Sequence, residues 1–135
     1  MSSTPAGVAR GLTLLLVDDN AQMRALIRSL IQDVAPVIHE CDDGPSAVEA
    51  YPRIRPDWVL MDIELRGMDG IAATRAIRLL DSAARVVMVT GHGSDQYRRA
   101  ASDAGASAFV LKEDLLGLPV LLEALLHPAP DQRAT

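Results

Sequence analysis

Short apolar runs alternate with amphipathic stretches along this chain of 135 residues. Continuous runs of this kind are typical of strands that are buried on both faces of a parallel sheet. They predict five strands, of which the second is the weakest: Thr13–Val17, Val37–Glu40, Trp58–Met61, Val86–Val89 and Ala108–Leu111. Between the runs, apolar residues recur at the spacing of helices that bury one face. The alternation predicts an α/β fold, a doubly wound (βα)5 sandwich with right-handed crossovers.

The predicted helices have recognisable ends. Asn20 can cap the first helix and Ser94 the fourth, and Pro45 suits the first turn of the second helix. Pro52 and Pro56 are expected to limit that second helix. The residues expected to face inward on the first and third helices are Met23, Leu26, Ile27, Leu30, Ile31, Val34, Ile71, Ala73, Ile77 and Leu80.

The length predicts one domain with flexible ends. Residues 1–10 are rich in small and polar side chains, and residues 127–135 contain two prolines without apolar periodicity. We therefore expect a flexible leader over 1–10, one folded domain over 11–126 and a flexible tail over 127–135. The chain is 49% hydrophobic but only 3% aromatic, so the core must be built from aliphatic residues and methionine.

Charge and cysteine content exclude several classes of function. The net charge of −5 argues against direct nucleic-acid binding. Cys41 is the only cysteine, so neither an intramolecular disulfide nor a cysteine-based metal site can form. No apolar stretch is long enough to span a membrane, and the N-terminus lacks a signal-peptide pattern. A cytoplasmic protein without membrane association is expected.

Polar residues with distinct chemistry follow four of the predicted strands. Asp18 and Asp19 follow the first strand, Asp62 the third, Thr90 the fourth and Lys112 the fifth. In the flavodoxin-like strand order 2-1-3-4-5, the carboxyl ends of the first and third strands meet at the switch point where ligands bind. Carboxylates gathered there favour a hard divalent cation such as Mg²⁺. The pattern predicts a cation-dependent centre that accepts a phosphoryl group.

These motifs resemble those of a bacterial two-component response regulator receiver domain of the CheY-like kind. The resemblance covers roughly residues 11–126 and rests on Leu14–Asn20, Val59–Gly70, Val89-Thr90 and Ala104–Lys112. It implies that a sensor histidine kinase or a histidine phosphotransfer protein supplies a phosphoryl group to Asp62. It also implies a Mg²⁺ or Mn²⁺ site, in which Asp19 and Asp62 are direct ligands and Asp18 holds a water on the metal. The backbone carbonyl of Glu64 would complete the protein ligands.

The resemblance assigns further roles to residues near the acidic cluster. Lys112 and Thr90 would contact the phosphoryl oxygens, and Thr90 with Phe109 would form a switch that reworks a protein-binding face. Glu64 and His92 would modulate the lifetime of the phosphate. The chain would catalyse its own phosphorylation and dephosphorylation without being a conventional enzyme. It would act as a stand-alone regulator on an unknown downstream protein or within a phosphorelay, with a phosphorylation-dependent dimer as one option.

Two positions depart from the family pattern and keep alternatives open. Glu113 follows Lys112 where receivers commonly have a proline after a cis peptide bond, and Arg66 occupies another usual proline position. A phosphorylation-independent interaction module is therefore one alternative, and a receiver domain cut from a longer regulator is another. An aspartyl-phosphate hydrolase is a third, with Glu64 as second acid, but the chain has too little insertion for a substrate cap. Phe109 has an equally simple interpretation as a core residue.

Overall fold

The computed structural model describes residues 12–91 and 93–126. The strands are β1 (Thr13–Val17), β2 (Val37–Cys41), β3 (Trp58–Met61), β4 (Val86–Thr90) and β5 (Ala108–Leu111). The helices are α1 (Ala21–Ile31), α2 (Gly44–Ile54), α3 (Gly70–Leu80), α4 (Asp95–Asp103) and α5 (Leu118–Leu126). All strand pairs are parallel and their order is β2-β1-β3-β4-β5, which confirms the predicted flavodoxin-like sandwich. Within the described ranges, no helix has the length and apolar character that a membrane span requires.

The register of the strands brings the predicted site residues to one edge. Val17 of β1 lies opposite Met61 of β3, so the residues that follow them, Asp18 and Asp62, leave the sheet at the same level. Thr90 of β4 lies opposite Leu111 of β5, so Lys112 emerges one residue beyond Thr90. The carboxyl edge of the sheet therefore gathers these side chains, as expected for the switch point of a doubly wound fold.

Alternate residues of each central strand pack into two separate core layers. Leu14 and Leu16 of β1 face the layer closed by α1 and α5, and Leu15 and Val17 face the layer closed by α2, α3 and α4. Strands β1, β3 and β4 are almost wholly buried, whereas the edge strands β2 and β5 are not. The site thus lies at the ends of strands that are held within a mainly aliphatic core.

Side-chain caps define where the helices begin, and one predicted end was wrong. Asn20 Oδ1 accepts a hydrogen bond from the amide of Met23 at 2.9 Å, and Ser94 caps α4, so both predicted caps are confirmed. Pro52 lies inside α2 instead of ending it. The helix continues to Ile54 and stops where Arg55 adopts a left-handed conformation with φ of 48°. A proline this near the last turn removes only one helical hydrogen bond.

Two leucines and one connection differ from the sequence-based expectation. Leu26 of α1 and Leu80 of α3 are exposed, because the buried stripes of these helices are narrower than their apolar patterns. On α3 the buried positions include Gly70 and Thr74 instead. A 3₁₀ helix over Lys112–Gly117, which the sequence did not predict, joins β5 to α5.

Candidate functional site

Three carboxylates meet at the carboxyl edge of the sheet. Each of Asp18, Asp19 and Asp62 offers an oxygen that lies within 4.8 Å of the others. Asp18 and Asp62 are 1% and 5% exposed, whereas Asp19 is not buried. Oxygen donors clustered in this way are the ligand set that Mg²⁺ prefers. The predicted acidic cluster is therefore assembled, with one ligand open to solvent.

Lys112 reaches into this cluster from the end of β5. Its Nζ is 2.9 Å from Asp18 Oδ2 and 2.9 Å from Asp62 Oδ2. Burial alone would lower the pKa of Lys112, but its close contacts with the carboxylates of Asp18 and Asp62 outweigh the effect of burial and raise the pKa. The three carboxylates and this ammonium leave a formal charge of −2. A divalent cation matches that charge, so the donor set fits Mg²⁺ or Mn²⁺ in both chemistry and charge.

Asp18 is held by its neighbours at several atoms. Its amide donates to the carbonyl of Cys41 at 3.2 Å, and its carbonyl accepts from Arg24 Nη1 at 2.7 Å. Its Oδ1 accepts from the amide of Asn20 at 2.9 Å. Among the described residues, its buried Oδ2 has the ion pair with Lys112 but no hydrogen bond of good geometry. That oxygen is suited to accept from a water on a cation, which fits the indirect role predicted for Asp18.

Asp62 is fixed by the backbone on both sides. Its amide donates to the carbonyl of Val17 at 3.0 Å, and its Oδ1 accepts from the amide of Glu64 at 3.3 Å. The chain then turns so tightly that a Cβ on Gly70 would lie 1.8 Å from the carbonyl oxygen of Asp62. The start of α3 therefore needs glycine at that position. The carbonyl of Glu64 as a metal ligand stays a prediction.

The loop between β3 and α3 is docked on the start of α2. The carbonyl of Arg66 accepts from the amide of Gly44 at 3.4 Å, and its guanidinium lies 4.0 Å from Asp42. Gly67 turns the chain with a φ of 79°. Arg66, in the position where receivers commonly have proline, thus contributes to a contact between two loops. A cleft of about 350 Å³ opens beside this loop, and Asp19, Glu64 and Tyr97 of α4 are among the residues that line it.

The peptide bond between Lys112 and Glu113 is trans. No cis peptide bond is found in the described ranges. Glu113, which stands where receivers commonly have a proline after a cis bond, therefore follows a trans bond. The 3₁₀ helix begins at Lys112 itself. Lys112 nevertheless reaches both Asp18 and Asp62, so the contact does not require the cis bond.

The two residues of the predicted switch lie on β4 and β5, and an arginine of α4 contacts one of them. Thr90 is completely buried at the end of β4, and Phe109 of β5 is half-buried. The guanidinium carbon of Arg98 lies 4.6 Å from the centroid of the Phe109 ring, within the range of a cation–π interaction. His92, the second predicted modulator of phosphate lifetime, lies outside the described residues.

Two arginines near the site were not identified from the sequence. Arg24 was given no role, although a residue in the first turn after Asn20 can reach back to the preceding loop. Arg98 was given no role either, yet its guanidinium lies over the ring of Phe109. In both cases the contact depends on how a helix packs beside a strand, which the local pattern does not encode.

Comparisons with known proteins find relatives of this chain. A family model described as the response regulator receiver domain matches residues 14–123. The chemotaxis protein CheY of Halobacterium salinarum is 37% identical over 99 residues, which are 73% of this chain and 82% of that protein. CheY of Bacillus subtilis is 39% identical over 100 residues, which are 73% of this chain and 83% of that protein.

Solved structures show the same likeness. A two-component response regulator of the LuxR family from Aurantimonas has a TM-score of 0.81 at 38% identity, over 86% of this chain and 85% of that chain. A chain in the CheX-CheY-BeF3-Mg²⁺ complex of Borrelia burgdorferi has a TM-score of 0.78 at 26% identity, over 84% of this chain and 87% of that chain.

Proposed function

The chain belongs to the response regulator receiver domain family, and from that premise we propose that it accepts a phosphoryl group on Asp62. Members of this family are signalling modules that are phosphorylated on an aspartate. The donor would be a phosphohistidine of a sensor histidine kinase or of a histidine phosphotransfer protein. A new P–O bond forms at the Asp62 carboxylate while the P–N bond to the donor imidazole breaks, and that imidazole takes up a proton.

One observation carries this proposal: Lys112 Nζ lies 2.9 Å from the carboxylate of Asp62 and 2.9 Å from that of Asp18. An ammonium at this place can neutralise a phosphoryl oxygen on Asp62 as negative charge builds up there. Asp62 is 5% exposed and its amide is bonded to β1, so the acceptor oxygen is already positioned. Catalysis of this kind depends on position and charge more than on proton transfer.

Asp18, Asp19 and Asp62 would hold Mg²⁺ or Mn²⁺, with the carbonyl of Glu64 as a further ligand. When bound there, the cation would supply positive charge that lowers the repulsion between Asp62 and an anionic phosphodonor. Support comes from the oxygen-only donor set and its formal charge of −2. The Borrelia complex, which contains Mg²⁺ and BeF3, adds support from a chain of the same fold.

The output would be a change in the surface formed by α4, β5 and α5. Thr90 would move toward the new phosphoryl group and leave space beneath it, which the ring of Phe109 could occupy. The contact of Arg98 with that ring means that an inward movement of Phe109 must break a cation–π interaction. The altered surface would bind a downstream protein or a second copy of the chain. Glu64 and His92 would adjust how fast water removes the phosphate.

The phosphorylation-independent alternative rested on Arg66 and Glu113. Neither residue displaces a reacting group, because Lys112 still contacts both buried carboxylates and the Arg66 loop is held against α2. The geometry therefore favours an active acceptor site over an inactive relative of the family.

Intact mass tests the proposal directly. Incubation with acetyl phosphate and Mg²⁺ should add one phosphoryl group, about 80 Da, and chelation of the metal should prevent the gain. Asp62→Asn is the matched control, since it keeps the shape of the side chain but removes the nucleophilic oxygen, and it should show no adduct. Absence of an adduct with acetyl phosphate and with a phosphohistidine donor would contradict the proposal. Multiple turnover of a small phosphoester would instead favour the hydrolase.

A further inference from the structure

Arg24 connects the metal-binding loop to the edge of the sheet. Its Nη1 donates to the carbonyl of Asp18 at 2.7 Å, and its Nε donates to Glu40 Oε1 at 2.8 Å. One guanidinium on α1 therefore bonds both the loop that carries the acidic pair and a residue of β2. The planar fork of arginine allows these two donations in fixed directions, which the single ammonium of lysine cannot reproduce.

Arg28, one turn later on α1, offers a comparison within the same chain. Its Nη2 is 2.6 Å from Glu40 Oε2, and it also donates to the carbonyl of Ile38 at 3.1 Å. Burial would raise the pKa of Glu40, but the hydrogen bonds and charges of Arg28 and Arg24 outweigh it and lower the pKa. Both arginines thus tie α1 to β2 through Glu40, while the contact with the Asp18 carbonyl is made by Arg24.

We propose that Arg24 is a positioning residue for the cation site. It acts through the backbone of Asp18: by holding that carbonyl, it fixes the direction in which the loop presents Asp18 and Asp19 to the cation. This inference rests on the proposed function, because it concerns the same metal-dependent site. Partners that orient metal ligands in this way typically change metal affinity 10- to 100-fold when they are removed.

The sign of the effect separates positioning from simple charge. Arg24 is a cation bonded to the loop that bears Asp18 and Asp19, two of the three carboxylates in the cluster. If only its charge mattered, its removal would leave the cluster more negative and would tighten binding of a divalent cation. If it positions the loop, its removal weakens binding despite the more favourable charge. The two interpretations therefore predict opposite changes.

Mn²⁺ binding to the full chain, followed by electron paramagnetic resonance of the free ion, tests the inference without any phosphoryl transfer. Arg24→Met should weaken Mn²⁺ affinity about tenfold. The matched control Arg28→Met, which also removes a partner of Glu40, should stay within about twofold of wild type, since it leaves the Asp18 carbonyl bonded. Thermal unfolding should shift by similar amounts in the two variants, so a difference in metal affinity cannot come from stability.

Arg24→Lys keeps the positive charge and serves if Arg24→Met does not fold. Its ammonium cannot hold Asp18 and Glu40 in the same geometry, so Mn²⁺ affinity should fall by a few-fold. Unchanged or tighter binding in the Arg24 variants, or equal weakening in Arg24→Met and Arg28→Met, would overturn the inference. If wild type bound no Mn²⁺, the proposed function itself would fail. If wild type binds Mn²⁺ but the variants do not show the expected changes in affinity, the inference about Arg24 fails and the proposed function does not.

Discussion

Asp18 follows the central strand β1 and Phe109 lies within the outer strand β5, and the two residues are held in opposite ways. Asp18 has partners at its amide, its carbonyl and both carboxylate oxygens. Phe109 is half-buried, with the guanidinium of Arg98 over its ring. We refer to Asp18, Asp62 and Lys112 as the acceptor half, and to Thr90, Phe109 and Arg98 as the relay half.

The difference matches what each half would have to do. Phosphoryl transfer requires reacting groups that are already in position before the donor arrives, and buried strands β1 and β3 supply that rigidity. A relay requires two arrangements of similar energy. Strand β5 is the outermost strand on its side of the sheet, and every one of its residues is only partly buried. A rearrangement there would therefore disrupt less packing than one in β1 or β3. The following variants test this contrast.

Lys112→Met should have the largest effect, on the acceptor half. The change removes the ammonium that lies 2.9 Å from Asp62, so the rate of adduct formation with acetyl phosphate should fall by about a hundredfold or more. The rate is measured by intact mass over time at saturating Mg²⁺. Lys112→Arg, which keeps the charge but not the shape, should retain part of the rate. An unchanged rate in Lys112→Met would show that phosphoryl transfer does not depend on the Lys112 ammonium.

Gly70→Ala and Gly91→Ala compare the room on the two halves. A Cβ on Gly70 would lie 1.8 Å from the Asp62 carbonyl oxygen, whereas one on Gly91, directly after Thr90, meets nothing within 4 Å. Gly70→Ala should therefore lower the free energy of unfolding by about 2–3 kcal/mol. Gly91→Ala should leave it unchanged or raise it by less than about 1 kcal/mol. Urea denaturation measures both, and equal losses would mean that the halves are packed alike.

Glu40→Gln probes the ion pairs that tie α1 to β2 beside the acceptor half. The pKa of Glu40 is lowered on folding, so the unfolded state binds a proton first as the pH falls. The stabilisation is present above pH 4.5, the ordinary pKa of the group, and is lost as the pH falls through the lowered value. At neutral pH the variant should be less stable by about 1 kcal/mol, since these pairs are partly exposed. Urea unfolding at pH 7 and at a series of lower pH values should show a difference that is full above pH 4.5 and shrinks as the pH falls below it.

Arg98→Met should have the smallest effect, on the relay half. A partly exposed cation–π contact contributes about 0.5 kcal/mol, so stability should barely change. If Arg98 holds the Phe109 ring outward, its loss should shift the ring toward the inward arrangement, which nuclear magnetic resonance of the Phe109 ring protons would detect before phosphorylation. Identical chemical shifts of the Phe109 ring protons in variant and wild type would show that Arg98 does not control the position of the ring.

The sequence predicted most of the fold because its buried strands are continuous apolar runs. β1, β3 and β5 have the bounds predicted for them, and the positions of Asp18, Asp62 and Lys112 followed from the ends of those strands. The 3₁₀ helix after β5 was missed, because Lys112–Gly117 has no periodicity of its own. Pro52 was misread as a helix end, since tertiary packing tolerates a proline near the last turn of α2.

The site was predicted less completely than the fold. The residues that carry the carboxylates and the ammonium directly follow the ends of strands, and a parallel sheet brings the carboxyl ends of its strands together. The contacts of Arg24 and Arg98 depend instead on the angle at which long side chains leave α1 and α4 toward neighbouring elements. Local spacing contains no such information, so the residues that support the site had to be read from the structure.

Chemical trapping of the phosphorylated residue identifies which aspartate accepts the phosphoryl group. Borohydride reduces an aspartyl phosphate to homoserine, and tandem mass spectrometry of the digested protein then locates the modified position. After treatment with acetyl phosphate and Mg²⁺, homoserine should be found at position 62, which directly follows β3 and is in contact with Lys112. Homoserine at position 18 or 19, or a phosphoryl adduct that yields no homoserine at position 62, would show that Asp62 is not the acceptor.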